Sequence, residues 1–537
     1  MSESFILTGG TVVDGTGQPA FTGDILVEKG AIRAVSRNAL EAGQPRIDCR
    51  GKVVAPGFID MHSHMDFFAA AKNPAHFASF TRQGITSFVA GNCGFSPCAL
   101  LPDSEHQHLI NNSLFREGAD DIHWQTFAEL EARINSSDIR QGIIQMAGHG
   151  SCRTSLSGFD DRQLSRREFE ILLGLLEEAL QEGAAGVSLG LQYRPGIFAS
   201  KRELTAVAEL VQRYDRLLSV HARAYSALSG TYPLKPFGRP HNLLAIDDML
   251  DLARVTGVKL QFSHLIFAGL RTWKTFDRAL DLFDQARAEG LDIMFDIFPY
   301  PCGATLLNSI FPDWFMSGMP DSFFSIPKRL RLKLELGLGL KLLGLRYDDI
   351  CLSHAGCPEY KGMEGESMAE IARVVQRSPL ETVLDIMEKS DTQARVLMHR
   401  YYGPGLVERL MTHEAAIYAT DAWPEPAGVQ NPAAFGAFPR FLQIARETGN
   451  LSLEQCIRKM TGLAAGRVGL NDRGILLPGR RADITVFDWQ KIQDRTDTLG
   501  NNASPAGIEH VIIRGETLLG YGVLQDGAGQ QELALNP

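Results

Sequence analysis

Short apolar runs alternate with longer amphipathic stretches through the middle of the chain. Eight such runs occur between residues 57 and 421: GFIDMHSH, ITSFVAGNC, GIIQMAGH, AGVSLGL, LLSVH, KLQFSH, DIMFDIF and AIYATD. Helical patterns accompany most of them; in FDRALDLFDQARAEG the apolar stripe is Phe276, Leu280, Phe283 and Ala286. Buried strands that alternate with helices are typical of α/β proteins, and eight of them predict a (β/α)8 TIM barrel.

The two ends of the chain differ from this middle. Residues 1–55 form short runs rich in Val and Ile that are separated by glycine-bearing turns. Residues 475–537 show the same pattern in ADITVFD and IEHVIIRGETLLGYG. Together they predict one small β-sandwich domain built from both termini, with the barrel at 56–474. Two independent terminal hairpins are the alternative, but they would be only marginally stable alone.

One segment, at about 303–370, interrupts the alternation and is predicted to be an inserted subdomain after barrel strand seven. Strict alternation in Arg329–Leu336 permits a strand, whereas the Leu and Lys content favours a helix. Its basic character is compatible with membrane or nucleic-acid binding. A solvated amphipathic face is the favoured interpretation, because the chain as a whole is acidic.

Composition narrows the class of protein. The 537 residues are 44% hydrophobic and 22% charged, and 53 Lys+Arg against 63 Asp+Glu give a net charge of −10. An ordinary globular enzyme with no nucleic-acid partner is expected. We find no unbroken apolar run of transmembrane length and no secretory pattern, and eight cysteines in so long a chain are not a disulfide framework. We therefore expect a cytoplasmic protein with no membrane partner.

Residues capable of metal binding lie at or just beyond the ends of the apolar runs. They are His62, His64, Cys93, His149, His221, His264 and Asp421. In a barrel these ends converge on one catalytic face, and the i, i+2 spacing in His62-Ser63-His64 points both imidazoles to the same side. Each residue alone is more often a core histidine or a helix cap. As a set they predict a site for a borderline metal such as Zn²⁺.

The set resembles the amidohydrolase superfamily, which shows HxH, two single histidines and an aspartate on the last strand. Many members also use a carboxylated lysine after strand four, but AGVSLGLQY has none and the nearest, Lys201, lies further on. Cys93 in VAGNCGFS is a candidate to supply the metal ligand that this lysine would otherwise provide. With PGFIDMHSHMD, GHGSCR, GLQYRPGIFAS, FSHL, FGAFPR and IRKMTGLAAGRVGLNDRGILLPGRRADITVFD, the chain resembles the N-acyl-D-amino-acid deacylase (D-aminoacylase) branch.

The resemblance implies roles for individual residues. Cys93, His221 and His264 would hold a tightly bound zinc ion, and His62, His64 and Asp421 would form a second, weaker or empty site. Asp421 would also be the catalytic acid–base group. Tyr193, His149 and Arg153 are candidate substrate-binding residues; for His149 and Arg153, a structural hydrogen-bonding pair is an equally good interpretation.

The chain departs from the branch where the substrate's α-carboxylate would bind. The four positions that carry lysine, tyrosine, serine and arginine in the deacylases are here Ile266, Phe298, Ala304 and Ala433. A buried carboxylate without polar partners is strongly disfavoured. These residues therefore predict a substrate without a free α-carboxylate, unless Arg153 or Arg194 binds that group from a new direction.

The predicted function is zinc-dependent hydrolysis of a non-peptide amide, such as an N-acyl or N-formyl amine. A true N-acyl-D-amino-acid deacylase with a rearranged pocket, a cyclic amide or lactone hydrolase, and a deaminase remain alternatives, because related sites activate water for many electrophiles. A non-catalytic scaffold is disfavoured since every expected ligand position is filled. The sequence does not define the oligomeric state.

Overall fold

The computed structural model describes residues 4–41, 43–111, 122–233, 235, 238–425, 428–497 and 502–525. Four stretches of the predicted terminal domain, at 1–3, 42, 498–501 and 526–537, therefore lie outside the described residues. Within the described part of the chain, none of the helices has the length and apolar character needed to cross a bilayer.

A nine-stranded sheet joins the two ends of the chain. Its N-terminal strands are β1 Phe5–Val12, β2 Phe21–Glu28, β3 Ala31–Ser36, β4 Arg46–Asp48 and β5 Val53–Pro56. Its C-terminal strands are β18 Ile484–Phe487, β19 Ile508–Ile513, β20 Glu516–Gly520 and β21 Val523–Leu524. The order is β21-β20-β19-β18-β5-β1-β2-β3, with β4 paired to β1. The contact between the termini is the antiparallel β5–β18 pair, in which Val54 lies opposite Val486.

Parallel strands form the centre of the molecule. They are β6 Phe58–Asp60, β7 Ile85–Ala90, β8 Gly142–Gln145, β9 Ala147–Gly148, β10 Gly186–Gly190, β11 Leu217–His221, β12 Lys259–Phe262, β13 Ile293–Ile297 and β17 Ala416–Tyr418. Each lies within, or coincides with, one of the eight predicted apolar runs; β8 and β9 share the third run and are separated only by Met146. Their side chains are almost all buried, as expected for parallel strands covered on both faces.

Hydrogen bonds close these strands into a ring. One sheet has the order β6-β7-β8 and another β17-β13-β12-β11-β10-β9. The Met146 amide donates to Ala90 of β7, so β8 and β9 act as one continuous strand. Between β6 and β17, the Met61 amide donates to the Tyr418 carbonyl at 3.4 Å. Ser63 and Ala422, just beyond these strands, form a parallel β-bridge. The arrangement is that of an eight-stranded barrel.

Helices surround the barrel between successive strands. Those of eight or more residues are Phe127–Asn135, His149–Ser157, Arg166–Glu182, Lys201–Arg213, His241–Thr256, Phe276–Ala288, Ala433–Thr448 and Leu453–Met460. Shorter ones are Met65–Ala70, Ala78–Thr81, Gln107–Asn111, Leu270–Trp273, Leu406–Thr412 and Gly462–Arg467. Local sequence sets their ends: at Arg166–Glu182, Ser165 and Glu168 form a reciprocal capping box and Gly183 takes a left-handed conformation at the C-cap.

The segment after β13 forms a subdomain with its own core. It contains β14 Gly303–Leu306, β15 Ile350–His354 and β16 Arg395–Met398, in the antiparallel order β14-β16-β15. Its helices are Asp313–Met316, Asp321–Phe324, Ile326–Leu343, Met368–Val374 and Pro379–Lys389. One hydrophobic cluster includes Leu332, Leu380 and Val396, so this core extends beyond residue 370, where the sequence placed the end of the insertion. The domain limits stay a prediction.

Residues 329–336 are helical, which decides between the two conformations that the sequence left open. The helix Ile326–Leu343, hereafter the insertion helix, buries Leu332, Leu336 and Leu340. Its outward face differs from the expected solvated polar face. Because leucines at alternate positions fall on both sides of a helix, Leu334 and Leu338 point to solvent.

A buried lysine lies beneath the last barrel strand. Lys459, on helix Leu453–Met460, donates to the carbonyls of His413 at 2.5 Å and Ala416 at 3.0 Å. Burial lowers the pKa of Lys459 from 10.5 to about 8. Between these two values the unfolded chain binds more protons than the folded one, so this group makes the free energy of unfolding increase as the pH rises.

We expect Lys459→Met to remove that dependence. The free energy of unfolding of the wild type minus that of the variant should grow by up to about 3 kcal/mol as the pH rises from below 8 to above 10.5. Urea titrations of both proteins at several pH values across this range measure the two free energies of unfolding. Taking their difference cancels the contribution of groups that titrate in both proteins. A difference independent of pH would mean that Lys459 keeps its ordinary pKa when folded.

Candidate metal centre

A buried thiol stands at the centre of the carboxyl face of the barrel. The Cys93 Sγ atom lies 3.3 Å from His62 Nε2, 3.4 Å from His221 Nδ1 and 3.4 Å from His264 Nε2. Cys93 follows β7, His221 ends β11 and His264 follows β12, so different parts of the barrel bring these atoms together. All four side chains are almost fully buried.

The spacing of these atoms fits a shared zinc ion. A tetrahedral ion with Zn–S of about 2.3 Å and Zn–N of about 2.0–2.1 Å separates its sulfur and nitrogen ligands by about 3.6 Å. The observed separations are 3.3–3.4 Å. Cys93, His221 and His264 form one metal-capable group in which the donor atoms all lie within 4.8 Å of one another. Thiolate and imidazole are the donors that zinc prefers.

A second set of donors adjoins the first. His62 Nε2 lies 3.4 Å and His64 Nε2 3.8 Å from Asp421 Oδ1. His62, His64 and Cys93 form one metal-capable group, and His62, His264 and Asp421 form another. The six predicted ligands therefore come together in one cluster, with Cys93 shared between the two halves. Asp421 is the most accessible of them, with 18% of its side chain exposed.

Two polar residues that the sequence analysis missed orient the imidazoles. Asp296, on β13, places Oδ1 3.1 Å from His62 Nδ1, and Gln192 places Oε1 3.1 Å from His221 Nε2. A proton held on each of these nitrogens leaves the other nitrogen of the ring with a lone pair aimed at the cluster. The signals were present, since DIMFDIF carries a carboxylate on a buried strand and GLQY follows strand four.

Charges in the cluster stabilise one another. Burial alone would raise the pKa of the Cys93 thiol, but His62 and His264 outweigh it and lower that pKa. Burial would likewise raise the pKa of Asp296, and the neighbouring His62 lowers it. Burial lowers the pKa of His221, which favours the neutral, metal-binding form of the ring. The cluster thus favours anionic sulfur beside neutral and cationic nitrogen.

Three of the six predicted ligands have a left-handed backbone. The φ angles are 54° at Cys93, 30° at His264 and 50° at Asp421. Such values are uncommon for residues other than glycine and cost of order 1–3 kcal/mol each. Hydrogen bonds hold two of these turns: the Asp421 amide donates to the His62 carbonyl at 2.9 Å, and the His264 amide donates to Asp296 Oδ1 at 2.7 Å.

His149 and Arg153 are engaged with a buried carboxylate. His149 Nε2 lies 2.8 Å and Arg153 Nε 3.1 Å from Glu203 Oε1, and all three side chains are buried. Burial would raise the pKa of Glu203, but these two partners lower it. His149 and Arg153 lie on the helix His149–Ser157. The geometry favours the structural interpretation over substrate binding.

The four positions at which the sequence analysis predicts a departure from the deacylase pattern are apolar and well packed. Phe298 lies in an aromatic group, with ring centroids 6.3 Å from Tyr401 and 5.8 Å from Tyr402. Ile266 and Phe298 are buried, and Ala304 packs against the same core from β14. Ala433, fully buried, begins a helix, and its carbonyl accepts from Gln83.

Two tyrosines contribute neutral polar groups beside the cluster. The Tyr193 ring centroid lies 4.4 Å from that of His221, and burial raises the pKa of its phenol. Tyr401, which the sequence analysis did not single out, is close enough to Asp421 that the charge adds to burial in raising the pKa of its phenol. The residue that would correspond to a bridging lysine is absent from β10, and Lys201 is exposed at the start of a helix.

Comparisons with known proteins agree with this geometry. Residues 357–519 match the model of the Amidohydrolase family. N-acyl-D-glutamate deacylase of Alcaligenes xylosoxydans xylosoxydans is 29% identical over 528 residues, covering 95% of this chain and 92% of the relative. A solved D-aminoacylase, described with a binuclear metal centre, superimposes with a TM-score of 0.79 at 25% identity and 98% coverage of both chains.

A second solved structure contains a metal and an inhibitor. N-acyl-D-glutamate deacylase of Bordetella bronchiseptica, complexed with zinc and a phosphonate mimic of the tetrahedral intermediate, matches with a TM-score of 0.76 and 27% identity, covering 96% of this chain and 97% of its own. These matches indicate a hydrolase of carbon–nitrogen bonds other than peptide bonds, and they show that the chain is similar to proteins of the amidohydrolase superfamily. Within that superfamily they support the D-aminoacylase branch.

The position of Cys93 depends on a glycine in the neighbouring strand. A Cβ atom on Gly190 would lie 2.0 Å from the Cys93 carbonyl oxygen. We expect Gly190→Ala to displace the Cys93 turn and to weaken metal binding by about 10–100-fold, the range seen when groups that support metal ligands are removed. Competition with a chelator, followed by elemental analysis, measures the change.

Gly174→Ala is the matched control. Gly174 lies in the helix Arg166–Glu182, and an added Cβ would meet no atom within 4 Å. This variant should keep the metal affinity of the wild type. Equal metal affinity in the two variants would show that close packing against Gly190 does not position Cys93.

Proposed function

We propose that this protein is a zinc-dependent amidohydrolase that cleaves N-acyl or N-formyl amines lacking a free α-carboxylate. The observation that carries the proposal is the cluster around Cys93, in which three imidazole nitrogens lie 3.3–3.4 Å from one sulfur. Cys93, His221 and His264 would hold the tightly bound zinc ion. His62, His64 and Asp421 would form a weaker second site. The eight free cysteines suit a reducing cytoplasm.

The residues divide the chemical work between them. Bound zinc supplies a lowered pKa for water, towards about 7, and polarisation of the substrate carbonyl. The Asp421 carboxylate accepts a proton from the attacking water and returns it to the departing nitrogen, so the amine leaves as a neutral molecule. Asp296 and Gln192 keep the imidazole rings oriented while this happens.

The two arginines that could bind a substrate carboxylate already have other partners, which supports a substrate without that group. Arg153 is bound to Glu203, and Arg194 donates to the carbonyls of Phe159 at 2.7 Å and Met316 at 3.4 Å. Each arginine that the sequence left as an alternative anchor thus has other partners. Ile266 and Phe298 supply only apolar contacts. A substrate with an apolar amine substituent would avoid burying an uncompensated charge.

A true N-acyl-D-amino-acid deacylase is the second candidate. It is favoured by the relatives, which include enzymes named N-acyl-D-glutamate deacylase, N-acyl-D-aspartate deacylase and D-aminoacylase. In that case Tyr193 and Tyr401 would have to bind the carboxylate as neutral donors. The two candidates differ in one measurable quantity, the effect of the carboxylate on kcat/KM.

A matched substrate pair tests the specificity. We expect kcat/KM for an N-acyl alkyl amine to exceed that for the N-acyl-D-amino acid with the same side chain by at least about tenfold, because burying an unpaired carboxylate costs several kcal/mol. Ile266→Lys is the complementary variant and should reduce or reverse this preference. If the wild type prefers the carboxylate-bearing substrate, the second candidate is correct.

Asp421→Asn tests the acid–base role. The variant should retain one zinc equivalent, because Cys93, His221 and His264 are unchanged, and should lose about 10²–10⁴-fold in kcat. Zinc content by elemental analysis and steady-state rates are measured on the same preparation. Asp161→Asn, at an exposed position, is the control and should behave as the wild type. A near-normal kcat in Asp421→Asn would remove this residue from the mechanism.

A further inference from the structure

The insertion helix exposes a continuous row of large aliphatic side chains. The row, hereafter the leucine stripe, comprises Ile326, Leu330, Leu334, Leu338 and Leu342, with exposed fractions of 78%, 60%, 68%, 59% and 44%. Residues four apart are neighbours on a helix, so the five side chains form one ridge. Phe324, 66% exposed, extends it at the N-terminal end. Single exposed leucines are ordinary, but a contiguous ridge marks an interaction surface.

The helix is held firmly from its other side. Leu332, Leu336, Leu340 and Leu343 are buried in the core of the insertion. Glu381 pairs with Arg329, and Trp314 donates to Glu335 at 2.8 Å. The leucine stripe is therefore presented outward by a fixed element and cannot turn inward without unpacking the buried leucines.

Positive charge borders the leucine stripe. The helix carries five basic residues and one acidic residue, a net charge of +4 in a chain whose net charge is −10. Both arginines are paired, Arg329 with Glu381 and Arg331 with Glu335. Lys328, Lys333 and Lys341 are not within ion-pair distance of a carboxylate in the described part of the chain. Lys328 is half-buried and donates to Ser322 Oγ at 3.2 Å, whereas Lys333 and Lys341 are exposed and remain available to an external anionic partner.

We propose that the insertion helix docks the protein on the surface of an anionic lipid bilayer. Exposed aliphatic side chains next to lysines are the combination that binds in a membrane interface, where the apolar groups enter the acyl boundary and the lysines reach the headgroups. A second copy of the chain fits less well. It would bring two +4 helices together, and lysine is depleted at protein–protein interfaces. The proposal revises the sequence-based expectation of no membrane partner.

One end of the insertion helix contacts the loop that follows β12. The C-terminal end of the insertion helix packs against the loop after β12, where a Cβ on Gly269 would lie 2.7 Å from the Leu343 carbonyl oxygen and one on Gly344 would contact Leu270. The same loop begins with His264 and Ile266.

Vesicle flotation with the full-length, zinc-loaded protein tests the proposal. We expect binding to vesicles of phosphatidylcholine and phosphatidylglycerol at low salt, and much weaker binding to phosphatidylcholine alone or at high salt. The combined change Leu330→Ser, Leu334→Ser and Leu338→Ser should weaken the partition at least about tenfold. Replacing Lys333 and Lys341 with glutamine should weaken it by roughly fivefold for each lysine and reduce the salt dependence.

Controls separate docking from folding and from self-association. Val255→Ser changes an aliphatic residue that is 70% exposed on another helix and should leave partition unchanged. Hydrolysis of a water-soluble amide should be the same in the serine variant as in the wild type, which shows that the variant is folded. The proposal is overturned if the wild type does not bind anionic vesicles, or if the serine variant binds them as tightly. A leucine-dependent dimer in sedimentation velocity, without vesicle binding, would also overturn it and assign the surface to a second copy.

Discussion

The arrangement of the barrel's carboxyl face depends on one buried sulfur surrounded by imidazole nitrogens. A thiol buried this deeply would ordinarily resist ionisation, yet the neighbouring His62 and His264 lower its pKa. An anionic sulfur in an apolar barrel is stable only beside positive charge. The backbone at Cys93, His264 and Asp421 is left-handed, and this conformation places their side chains at the cluster. Strain of this kind persists only where the surrounding structure enforces it.

Support for the cluster comes from residues that are not among the proposed metal ligands. Gly190 leaves room for the Cys93 carbonyl, and Ser188 accepts a hydrogen bond from the Gly94 amide at 2.9 Å. Asp296 binds both the His62 ring and the His264 backbone, which ties two of the proposed ligands to one carboxylate. Cys93 is thus positioned by the turn after β7, and β10 is the surface against which this turn packs.

The sequence predicted the barrel well because its strands are short, apolar and end in chemically distinctive residues. Helix faces were predicted less precisely: of the stripe Phe276, Leu280, Phe283 and Ala286, all but Leu280 are fully buried, and Ala279 and Leu282 are buried as well. The sequence shows that Asp296 lies on a buried strand and that Gln192 follows strand four, but their partners could not be predicted because these contacts depend on side-chain geometry between separate strands. The outward leucines of the insertion helix were also beyond prediction, since alternation alone does not say which side meets the protein.

The two proposals agree on the character of the substrate. The apolar residues Ile266 and Phe298 favour an uncharged amine fragment, and the leucine stripe favours a location where uncharged amides concentrate. A free α-carboxylate would work against both, because it resists burial beside apolar side chains and is repelled by an anionic lipid surface. Ile266 lies on the loop that the insertion helix contacts, so the two proposals concern neighbouring parts of the protein. They point to amides that partition between water and lipid as the class from which the substrate is drawn.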